Sequence, residues 1–264
     1  MTTTSATTPD RAMQRVRHEL RFRVLDVVRI QKTSAHMLRI TLGGADLEGF
    51  HSPGFGDHVK LIFPDPATGE LVRPSEDGPR PTMRDYTPLN YNAQALTLDI
   101  DFALHDAGPA TAWALQAQVG QRIGVGGPRG SLLIPVNFDG HLLVGDDTAL
   151  PAISRRLLEL PAGAPVVVLA EVDGPDDELQ FKTAADLTVV WAHRQGRTHG
   201  SQLLKALRTL ELPAGDIFAW VACESTAAKA ARSLLVERGQ PTQWIKAAGY
   251  WRLGSADSHE SIEG

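Results

Sequence analysis

The stretch HLLVGDDTAL, residues 141–150, determines how the second half of the chain is expected to fold. An unbroken apolar run, His141–Val144, leads into Gly145, and a helical stretch begins near Ala149. A short apolar run without polar alternation is typical of a strand that is buried on both faces. The segment therefore predicts a strand, a glycine turn and a helix in an α/β sheet.

The same alternation of apolar strands and helical stretches continues towards the C-terminus. The predicted strands are His141–Val144, Pro165–Ala170, Leu187–Trp191 and Ile217–Ala222. The predicted helices are Ala149–Leu158, Ser201–Leu210 and Ser225–Arg238. Strands that alternate with helices indicate a parallel sheet with helices on both faces. We therefore predict a C-terminal parallel-sheet α/β domain over residues 138–254.

Upstream of Asn137 the pattern changes to many short strands and a single helix, Ala110–Gln118. Branched and polar residues alternate from Leu20 to Leu42, which predicts two strands and a turn. Further strands are predicted at Asp57–Phe63, Ala95–His105, Gln121–Val125 and Ser131–Ile134. Many short strands with one helix favour a closed antiparallel β-barrel. We predict this N-terminal domain over residues 15–137, with the domain boundary near Pro135–Gly140.

Composition limits the class of protein. A chain of 264 residues is long enough for two domains, and its one cysteine, Cys223, excludes an internal disulfide and a thiolate metal cluster. The net charge of −5 argues against nucleic-acid binding, and no apolar run reaches membrane-spanning length. We expect a cytoplasmic protein with a disordered tail over residues 1–14 and a flexible tail over residues 255–264. A cluster of early arginines predicts a solvated face rather than a partner site: Arg11, Arg15, Arg17, Arg21 and Arg23.

The segment Arg84-Asp85-Tyr86-Thr87-Pro88 is the first candidate for chemistry. From one strand face, Tyr86 offers a flat ring for an isoalloxazine or ribityl, Thr87 a hydroxyl and an amide, and Arg84 a fork for a pyrophosphate. Taken alone, the segment also fits an edge strand with a surface arginine and a half-buried tyrosine. That reading is favoured for such a short pattern, because short motifs recur by chance.

The second candidate is DFALHDAGPATAWA, residues 101–114, a strand that runs through a Gly-Pro turn into a helix. Pro109 near the helix start and Thr111 in the first turn leave free N–H groups at the positive end of the helix dipole. Such groups suit a pyrophosphate. The alternatives are that the Gly-Pro pair is only a turn, Trp113 only a core residue and His105 only structural.

In this order, the segments resemble the siderophore-interacting proteins, a family of NADPH-dependent ferric siderophore reductases. RDYTPL, residues 84–89, followed by DFALHDAGPATAWALQAQVGQRIGVGGPRGSL, residues 101–132, is similar to the FAD domain of that family. The resemblance continues through GDDTALPA, residues 145–152, then Trp220–Glu224 and GYWR, residues 249–252. It spans about Val16 to Gly254 and is far more specific than any single motif.

The resemblance implies an N-terminal FAD-binding domain and a C-terminal NAD(P)H-binding domain. The residues that it places around the flavin are Arg84, Asp85, Tyr86, Thr87, Asp101, Phe102, His105, Ala110, Thr111, Ala112, Trp113 and Trp251. The first four would hold the flavin, and the next seven would surround its ribityl, phosphate and adenine parts. Trp251 would lie near the isoalloxazine, and which aromatic ring stacks on it stays open.

The ends of the strands in the second half supply candidate nucleotide contacts. Gly145, Asp146 and Thr148 follow the first apolar strand, where an α/β sheet receives a dinucleotide, although the segment is not a G-x-G-x-x-G loop. Cys223 and Glu224 end another strand, at the edge where a nicotinamide would approach. For the cysteine, a buried apolar role is an equal alternative.

NADPH carries a 2′-phosphate, which calls for cations. His193 and Arg194 follow a predicted strand and are the candidates, with Arg197 nearby. A plain surface arginine is the alternative. The choice of NADPH over NADH rests mainly on the resemblance.

A bound flavin would accept hydride from NADPH and release single electrons to Fe(III) inside a siderophore. No catalytic acid, base or nucleophile is required, and the sequence shows no constellation for a resident metal, so iron is expected as the substrate. Ferric catecholates are anionic and call for basic residues at the mouth of the flavin site. From their places in relatives, the candidates are Lys60, Arg129 and Lys246, each of which alone also fits a solvated surface charge.

Two other functions remain open at this point. One is a flavin or ferredoxin–NADP type of reductase with another electron acceptor, and the other is a siderophore-binding module without enzymatic activity. A ferredoxin could also replace NADPH as the electron donor. We expect no nucleic-acid or membrane partner, and we expect a monomer, although no sequence pattern specifies the oligomeric state.

Overall fold

Alternating apolar and polar residues in the first half of the chain form short antiparallel strands. The computed structural model describes residues 11–75, 78, 80–104, 108–254 and 260–262. The first-half elements are β1 (Gln14–Arg17), β2 (Phe22–Ser34), β3 (Met37–Gly43), β4 (Val59–Ile62), β5 (Met83–Tyr86), β6 (Pro88–Asn92), β7 (Thr97–Ala103), α1 (Pro109–Gln116), β8 (Arg122–Gly126) and β9 (Gly130–Leu133). Seven of these strands form one sheet, in the order β5-β4-β8-β2-β3-β7-β6, and β1 pairs separately with β9.

The seven-stranded sheet curls until its two edges meet in the chain. β5 and β6 lie at opposite edges of the sheet, yet only Thr87 separates them in sequence. The predicted N-terminal antiparallel β-domain is confirmed, but as a curled, open sheet rather than a closed barrel. Closure would require β5 to pair with its own continuation, and Pro88 at the start of β6 has no N–H to donate.

Continuous apolar runs in the second half form the predicted α/β unit. Its elements are β10 (Gly140–Asp146), α2 (Leu150–Glu159), β11 (Pro165–Val172), β12 (Asp186–His193), α3 (Ser201–Thr209), β13 (Ile217–Glu224), α4 (Ser225–Glu237), β14 (Ile245–Trp251) and β15 (Glu260–Ile262). The sheet order is β12-β11-β10-β13-β14-β15, with every neighbouring pair parallel except β14 and β15. The predicted parallel-sheet domain is confirmed.

The strand order reverses between β10 and β13, because the chain adds β11 and β12 on one side of β10 and then returns to its other side. Ligands of open α/β sheets bind outside the carboxyl ends of the strands at such a reversal. Every residue of β10 and β13 is buried, which explains their unbroken apolar sequences. Their carboxyl ends, at Asp146 and Glu224, therefore define the edge where a dinucleotide is expected.

Both predicted tails differ from the structure where residues are described. Arg11 has only 7% of its side chain exposed and pairs with Asp139 and Asp216. Near the other end, Glu260–Ile262 form β15 because Ile262 packs against the core and Glu260 lies 2.9 Å from Lys229. Residues 1–10, 255–259 and 263–264, which belong to the same predictions, lie outside the described residues, as does His105.

Two consecutive arginines of α2 connect the second sheet to the first half of the chain. Arg155 donates hydrogen bonds to the carbonyl oxygens of Ser52, at 2.7 Å, and of Pro88, at 3.0 Å. Arg156 is 1% exposed and donates to the carbonyl oxygens of Ile134 and Pro135 at 3.1 and 2.7 Å. Guanidinium groups with several donors suit this role. The start of β6 is thereby fixed against α2.

The hairpin between β2 and β3 makes a second contact between the sheets. His36 donates its backbone N–H to one carboxylate oxygen of Asp177, at 2.8 Å, and its ring Nδ1 lies 2.9 Å from the other oxygen. Burial acts to raise the pKa of Asp177, but the hydrogen bonds from His36 and from Ser34 outweigh it and lower that pKa. Together with the Arg155 contacts, this hairpin contact holds the two sheets in one arrangement.

No helix in the described part of the chain combines the length and the apolar composition that crossing a bilayer would demand.

His141, near the start of β10, is fully buried between Phe138 and Phe218. Burial, and then the positive charge of Arg156, lowers the pKa of His141 from 6.5 to about 4, against an opposing backbone contact with Val136. The imidazole is therefore neutral in the folded protein at neutral pH. It takes up a proton more readily in the unfolded chain.

We expect this histidine to destabilise the fold as the pH falls from 6.5 towards 4. The unfolded state binds the proton first, so the free energy of unfolding should be about 2 kcal/mol lower at pH 5 than at pH 7 from this group alone. His141→Phe should remove that part of the loss, which urea unfolding at the two pH values measures. An identical loss in both proteins would contradict the assignment.

Candidate active site

The segment between β5 and β6 lies where the curled sheet fails to close. The Tyr86 ring packs on the buried Phe102 ring, with centroids 4.5 Å apart and planes tilted by 44°. The Tyr86 ring is therefore supported by Phe102, and Tyr86 remains partly exposed. The hydroxyl of Tyr250, in β14, hydrogen-bonds to the side chain of Thr87. The junction of β5 and β6 at Thr87, which we call the seam of the first sheet, thus contacts the second sheet.

The aromatic side chains beneath this seam form one cluster. Trp113 of α1 packs on Phe102 and on Phe63, with centroid distances of 5.7 and 5.5 Å. Phe102 is 1% exposed, so it supports Tyr86 and Trp113 and has no surface left for a ligand. Burial also raises the pKa of Tyr86. Tyr86 and Trp113 are the partly exposed members of this cluster.

The N-terminus of α1 has the features that its sequence predicted. The helix starts at Pro109 after Gly108, and within the described residues no side chain caps its first N–H groups. Ala110 is buried, while Thr111 and Ala112 reach the surface. Backbone N–H groups at the positive end of a helix that no side chain occupies suit a pyrophosphate.

Two of the predicted flavin contacts form ion pairs within the protein instead. Arg39 binds both oxygens of Asp101 at 2.7 Å, and this hydrogen bond raises the pKa of Arg39. Asp85 accepts a hydrogen bond from Lys60 at 2.9 Å. Arg84 donates to the neighbouring Met83 carbonyl oxygen at 2.6 Å. Of these, Arg84 keeps guanidinium donors for a ligand, because only one of its nitrogens takes part in that bond.

Asp146, at the carboxyl end of β10, connects three segments of the second sheet. One carboxylate oxygen accepts hydrogen bonds from the N–H and the hydroxyl of Thr148. The other accepts from the N–H of Glu224 at 2.9 Å and from the indole Nε1 of Trp251 at 2.8 Å. Asp146 is 2% exposed. Both carboxylate oxygens are engaged in hydrogen bonds within the protein, so Asp146 positions Trp251 and does not contact a phosphate.

An extra residue in β14 directs two aromatic side chains to different sides. Opposite β13, Cys223 pairs with Gly249 and Glu224 pairs with Trp251, so Tyr250 is the additional residue of a β-bulge. Tyr250 reaches Thr87 in the first sheet, and Trp251 packs edge-on against His199, with centroids 4.7 Å apart. Bulges of this kind are common beside active sites.

Carboxylates of the protein occupy two helix starts at this edge. Glu171 is fully buried and accepts from the N–H groups of Gly200, Gln202 and Leu203, between 2.7 and 3.1 Å, at the start of α3. Glu224 accepts from two N–H groups of the first turn of α4. A phosphate cannot use these helix starts while the carboxylates are there. Gly145 has a packing role, since a Cβ there would lie 2.4 Å from the Cβ of Ala149.

The predicted cations for a 2′-phosphate are bound to acids. Arg194 has 9% of its side chain exposed and lies 3.4 Å from Asp147, 3.9 Å from Glu171 and 3.5 Å from Asp173. His193 lies 2.8 Å from Glu178. Sequence patterns could not reveal these partners, because they come from other strands. Arg197 is exposed beside them.

Cys223 lies in the hydrophobic core and is 1% exposed. Burial, then the nearby charges of Asp146, Glu224 and Glu171, raises the pKa of its thiol. The side chain is therefore a protonated core residue, in line with the apolar alternative, and the structure does not bring it to the surface where a nicotinamide would approach.

A cavity of about 770 Å³ opens between the two sheets on the β14 and β15 side. Arg129 and Lys246, two of the predicted substrate contacts, lie in its wall, as does Tyr250. Lys60, the third, is not in that wall and pairs with Asp85. Among the described residues, three further cations line the cavity, and sequence patterns assigned no function to them: Arg15, Arg17 and Arg232.

Other residues of the site were also missed from sequence. Tyr250 carried a signal, because it stands beside Trp251 in the segment that shows the resemblance. Arg155 and Asp57 carried none. Asp57 is 4% exposed and accepts from the hydroxyl groups of Ser52 and Ser131, at 2.9 and 2.6 Å, which fixes the loop at the bottom of the cavity.

Comparisons with known proteins agree with this architecture. Residues 26–132 match the model of the siderophore-interacting FAD-binding domain, and residues 138–254 match that of the siderophore-interacting protein family. The chain is 41% identical to the NADPH-dependent ferric-chelate reductase of Escherichia coli, over 90% of this chain and 96% of that protein. It is 35% identical to the ferric vibriobactin reductase of Vibrio cholerae, over 88% and 90%. A siderophore utilization protein from T. fusca superposes with a TM-score of 0.87 at 39% identity, over 94% and 98%.

Proposed function

The chain belongs to the siderophore-interacting protein family, and from that premise we propose that it is an FAD-dependent reductase that passes electrons from NADPH to Fe(III) in a siderophore. One observation carries the proposal. Tyr250 hydrogen-bonds to Thr87 at the seam and also lines the cation-rich cavity. The proposed flavin site and a cavity suited to an anionic chelate therefore share a wall. In this proposal, electrons pass directly between the two adjoining sites.

The residues at the seam fit FAD. The start of α1 offers N–H groups that no described side chain caps, which suit the pyrophosphate, and Arg84, two residues before Tyr86, offers a guanidinium. Tyr86 and Trp113 offer supported aromatic faces, and Thr87 a backbone amide. Asp85, Asp101 and Phe102 act one layer further out in this proposal, since each is engaged within the protein.

When bound, FAD supplies the conversion of one hydride into two single electrons. One NADPH and two ferric ions thus give NADP⁺, one proton and two ferrous ions, so electrons balance without an added co-reactant. The chain's part is to orient the partners and to exclude water. Trp251 is held by Asp146 and His199, and we propose that it lies between the nicotinamide and the flavin. Reduction weakens the hold of hard oxygen ligands on iron.

For NADPH we propose a binding mode that avoids the occupied helix starts of the second sheet. Glu171 and Glu224 already take the N–H groups that a pyrophosphate would use. Arg197, exposed beside Arg194, replaces Arg194 as the proposed contact of the 2′-phosphate. The domain limits 15–137 and 138–254 are also part of this proposal, supported by the family matches over 26–132 and 138–254.

The direct test is an anaerobic reaction of the purified yellow protein with NADPH and a ferric siderophore. We expect the flavin absorbance to bleach with NADPH and to recover when the ferric chelate is added, with two ferrous ions trapped per NADPH. Flavin that stays reduced in the presence of the chelate would refute the reductase. Bleaching by reduced ferredoxin but not by NADPH would replace the donor while keeping the acceptor.

Two finer points belong to the same proposal. We propose the cytoplasm as the compartment, on the strength of the single cysteine. We propose a monomer as the working unit, because the cavity and the seam are both formed within one chain. Sedimentation of the flavin-loaded protein measures the second point directly.

Of the three predicted substrate cations, Arg129 and Lys246 lie in the cavity wall and Lys60 does not. Arg129→Ala and Lys246→Ala should each raise the KM for an anionic ferric chelate by about threefold, with kcat and flavin content unchanged, because each removes one charge from the cavity wall. Lys60→Ala is the matched control, since Lys60 pairs with Asp85 outside that wall. Steady-state kinetics at low ionic strength compare them. A larger KM change for Lys60→Ala than for the other two would reverse the assignment.

A further inference from the structure

Strand β1 brings the early arginines of the chain to the cavity between the sheets. Residues Gln14–Arg17 pair antiparallel with Gly130–Leu133, which places Arg15 opposite Leu132 and Arg17 opposite Gly130. Arg15 and Arg17 both lie in the cavity wall and are exposed. They are two residues apart, so they share one face of the strand.

The position of β1 is fixed by close packing. A Cβ at Gly130 would lie 2.6 Å from the carbonyl oxygen of Val16, so β1 can approach β9 this closely only because glycine stands there. The N–H of His18 donates to the carbonyl oxygen of Arg129 at 2.9 Å. The ring Nε2 of His18 lies 2.7 Å from the Ser131 hydroxyl, which donates to Asp57. These contacts hold the two arginines at the cavity rather than leaving them on a loose tail.

The charge of the cavity wall is strongly one-sided. Among the described residues of this wall, five are arginine or lysine: Arg15, Arg17, Arg129, Arg232 and Lys246. The acid in the described part of the wall is Asp57, which already accepts hydrogen bonds from Ser52, Gly54 and Ser131. Within the described residues, no carboxylate lies within 4.0 Å of the charged groups of Arg17, Arg129 or Lys246. The whole chain has a net charge of −5, so this concentration of cations is local.

We propose that Arg15 and Arg17 of β1 select the charge of the ferric chelate, favouring polyanionic catecholate or carboxylate chelates over neutral hydroxamate chelates. The inference rests on the proposed function, since it assigns the substrate class of the same site. A polyanion gains from every cation that faces it, whereas a neutral chelate gains only contact area. Two exposed cations in the cavity wall act mainly on binding, so they affect KM and leave kcat unchanged.

The test compares two charge types in two assays. The double variant Arg15→Gln with Arg17→Gln is matched by Arg21→Gln, because Arg21 lies in the same stretch, is exposed and pairs with Glu19 outside the cavity wall. The first assay is binding of redox-inert gallium complexes, a trianionic tris(catecholate) and a neutral tris(hydroxamate). Quenching of protein fluorescence reports it, since Trp220 and Tyr250 line the cavity. The second assay is reduction of the corresponding ferric complexes.

We expect the double variant to bind the trianionic gallium complex about fivefold more weakly and to show the same rise in KM for the ferric complex. Binding of the neutral complex, kcat and reduction of the flavin by NADPH should not change. The difference between charge types should shrink as salt is raised, because the Debye length falls to about 8 Å at physiological ionic strength. Arg21→Gln should behave as wild type.

Failure of the inference and failure of the proposed function give different results. A double variant that keeps the wild-type preference for the trianionic gallium complex overturns the role of β1, as does a wild type that binds both gallium complexes equally. If the protein is not a reductase, the ferric complexes leave the reduced flavin unchanged. The gallium preference and its loss in the double variant would still be observed in that case.

Discussion

Gly249→Ala is expected to lower the free energy of unfolding by about 3 kcal/mol or more, enough to prevent folding at moderate temperature. A Cβ at Gly249 would lie 2.2 Å from the hydroxyl oxygen of Ser225, 2.8 Å from its Cβ and 2.9 Å from its Cα. A side chain could rotate away, but the Cα belongs to the first turn of α4 and cannot. β14 would have to leave β13 to make room.

The consequence would reach beyond stability, because the two residues after Gly249 are Tyr250 and Trp251. Any variant protein that folds should lose the contact of Tyr250 with Thr87 and should hold flavin less tightly. Urea unfolding and flavin content after purification measure the two effects. Gly174→Ala is the control: Gly174 is in extended conformation and no atom lies within 4 Å of its added Cβ. Equal stability of the two variants would show that β14 can shift freely.

Asp146→Asn is expected to lower the free energy of unfolding by about 3 kcal/mol. The carboxylate accepts four hydrogen bonds, from Thr148 twice, from Glu224 and from Trp251. An asparagine presents an NH₂ group in place of one oxygen, and whichever way it turns, that group faces two donors. If the NH₂ faces Glu224 and Trp251, both of their N–H groups lose their acceptor, and if it faces Thr148, the backbone N–H of Thr148 does.

The readout specific to this carboxylate is Trp251. Release of its indole should change near-ultraviolet circular dichroism and tryptophan fluorescence before the protein unfolds. Asp173→Asn is the matched control, since it makes the same substitution at the same edge of the sheet, where 48% of the side chain is exposed 3.5 Å from Arg194. It should cost under about 1 kcal/mol. Unchanged Trp251 signals in Asp146→Asn would show that the indole is held by packing alone.

Periodicity predicted the elements well because it reports burial, which local sequence encodes. Helices α2, α3 and α4 begin and end within one residue of their predicted limits. The unbroken apolar runs correctly indicated β10 and β13, whose residues are all buried. The curl of the first sheet was predicted less well. Whether the edges of this sheet pair depends on the backbone geometry at Thr87 and Pro88, and hydrophobic periodicity carries no information about that geometry.

The local geometry around the candidate site residues was predictable where it depends on neighbouring sequence alone. The Gly-Pro start of α1 and the Tyr86 strand are local features, and the structure places them as the sequence indicated. Partners from distant segments were not predictable. Arg194 suited a phosphate by residue type, but Asp147, Glu171 and Asp173 surround it.

The early arginines also could not be placed from sequence, because their surroundings come from distant segments. Their spacing indicated a solvated face, yet Arg15 and Arg17 line a cavity because β1 pairs with a strand more than one hundred residues away. Arg11 and Arg23 are largely buried for similar reasons. Charge patterns predict that such residues contact solvent. Long-range strand pairing determines whether that contact is on the open surface or in a cavity.

The single residue between β5 and β6 also bears on cofactor exchange. Consecutive Cα atoms are 3.8 Å apart, so the Cα atoms of Tyr86 and Pro88 are never more than about 7 Å apart. The first sheet cannot release a ligand by spreading its edges at Thr87. The other boundary of this site is the contact of Arg155 with Pro88 and of Tyr250 with Thr87. We therefore expect the rate of flavin dissociation to be limited by separation of the two domains, and not by opening of the first sheet.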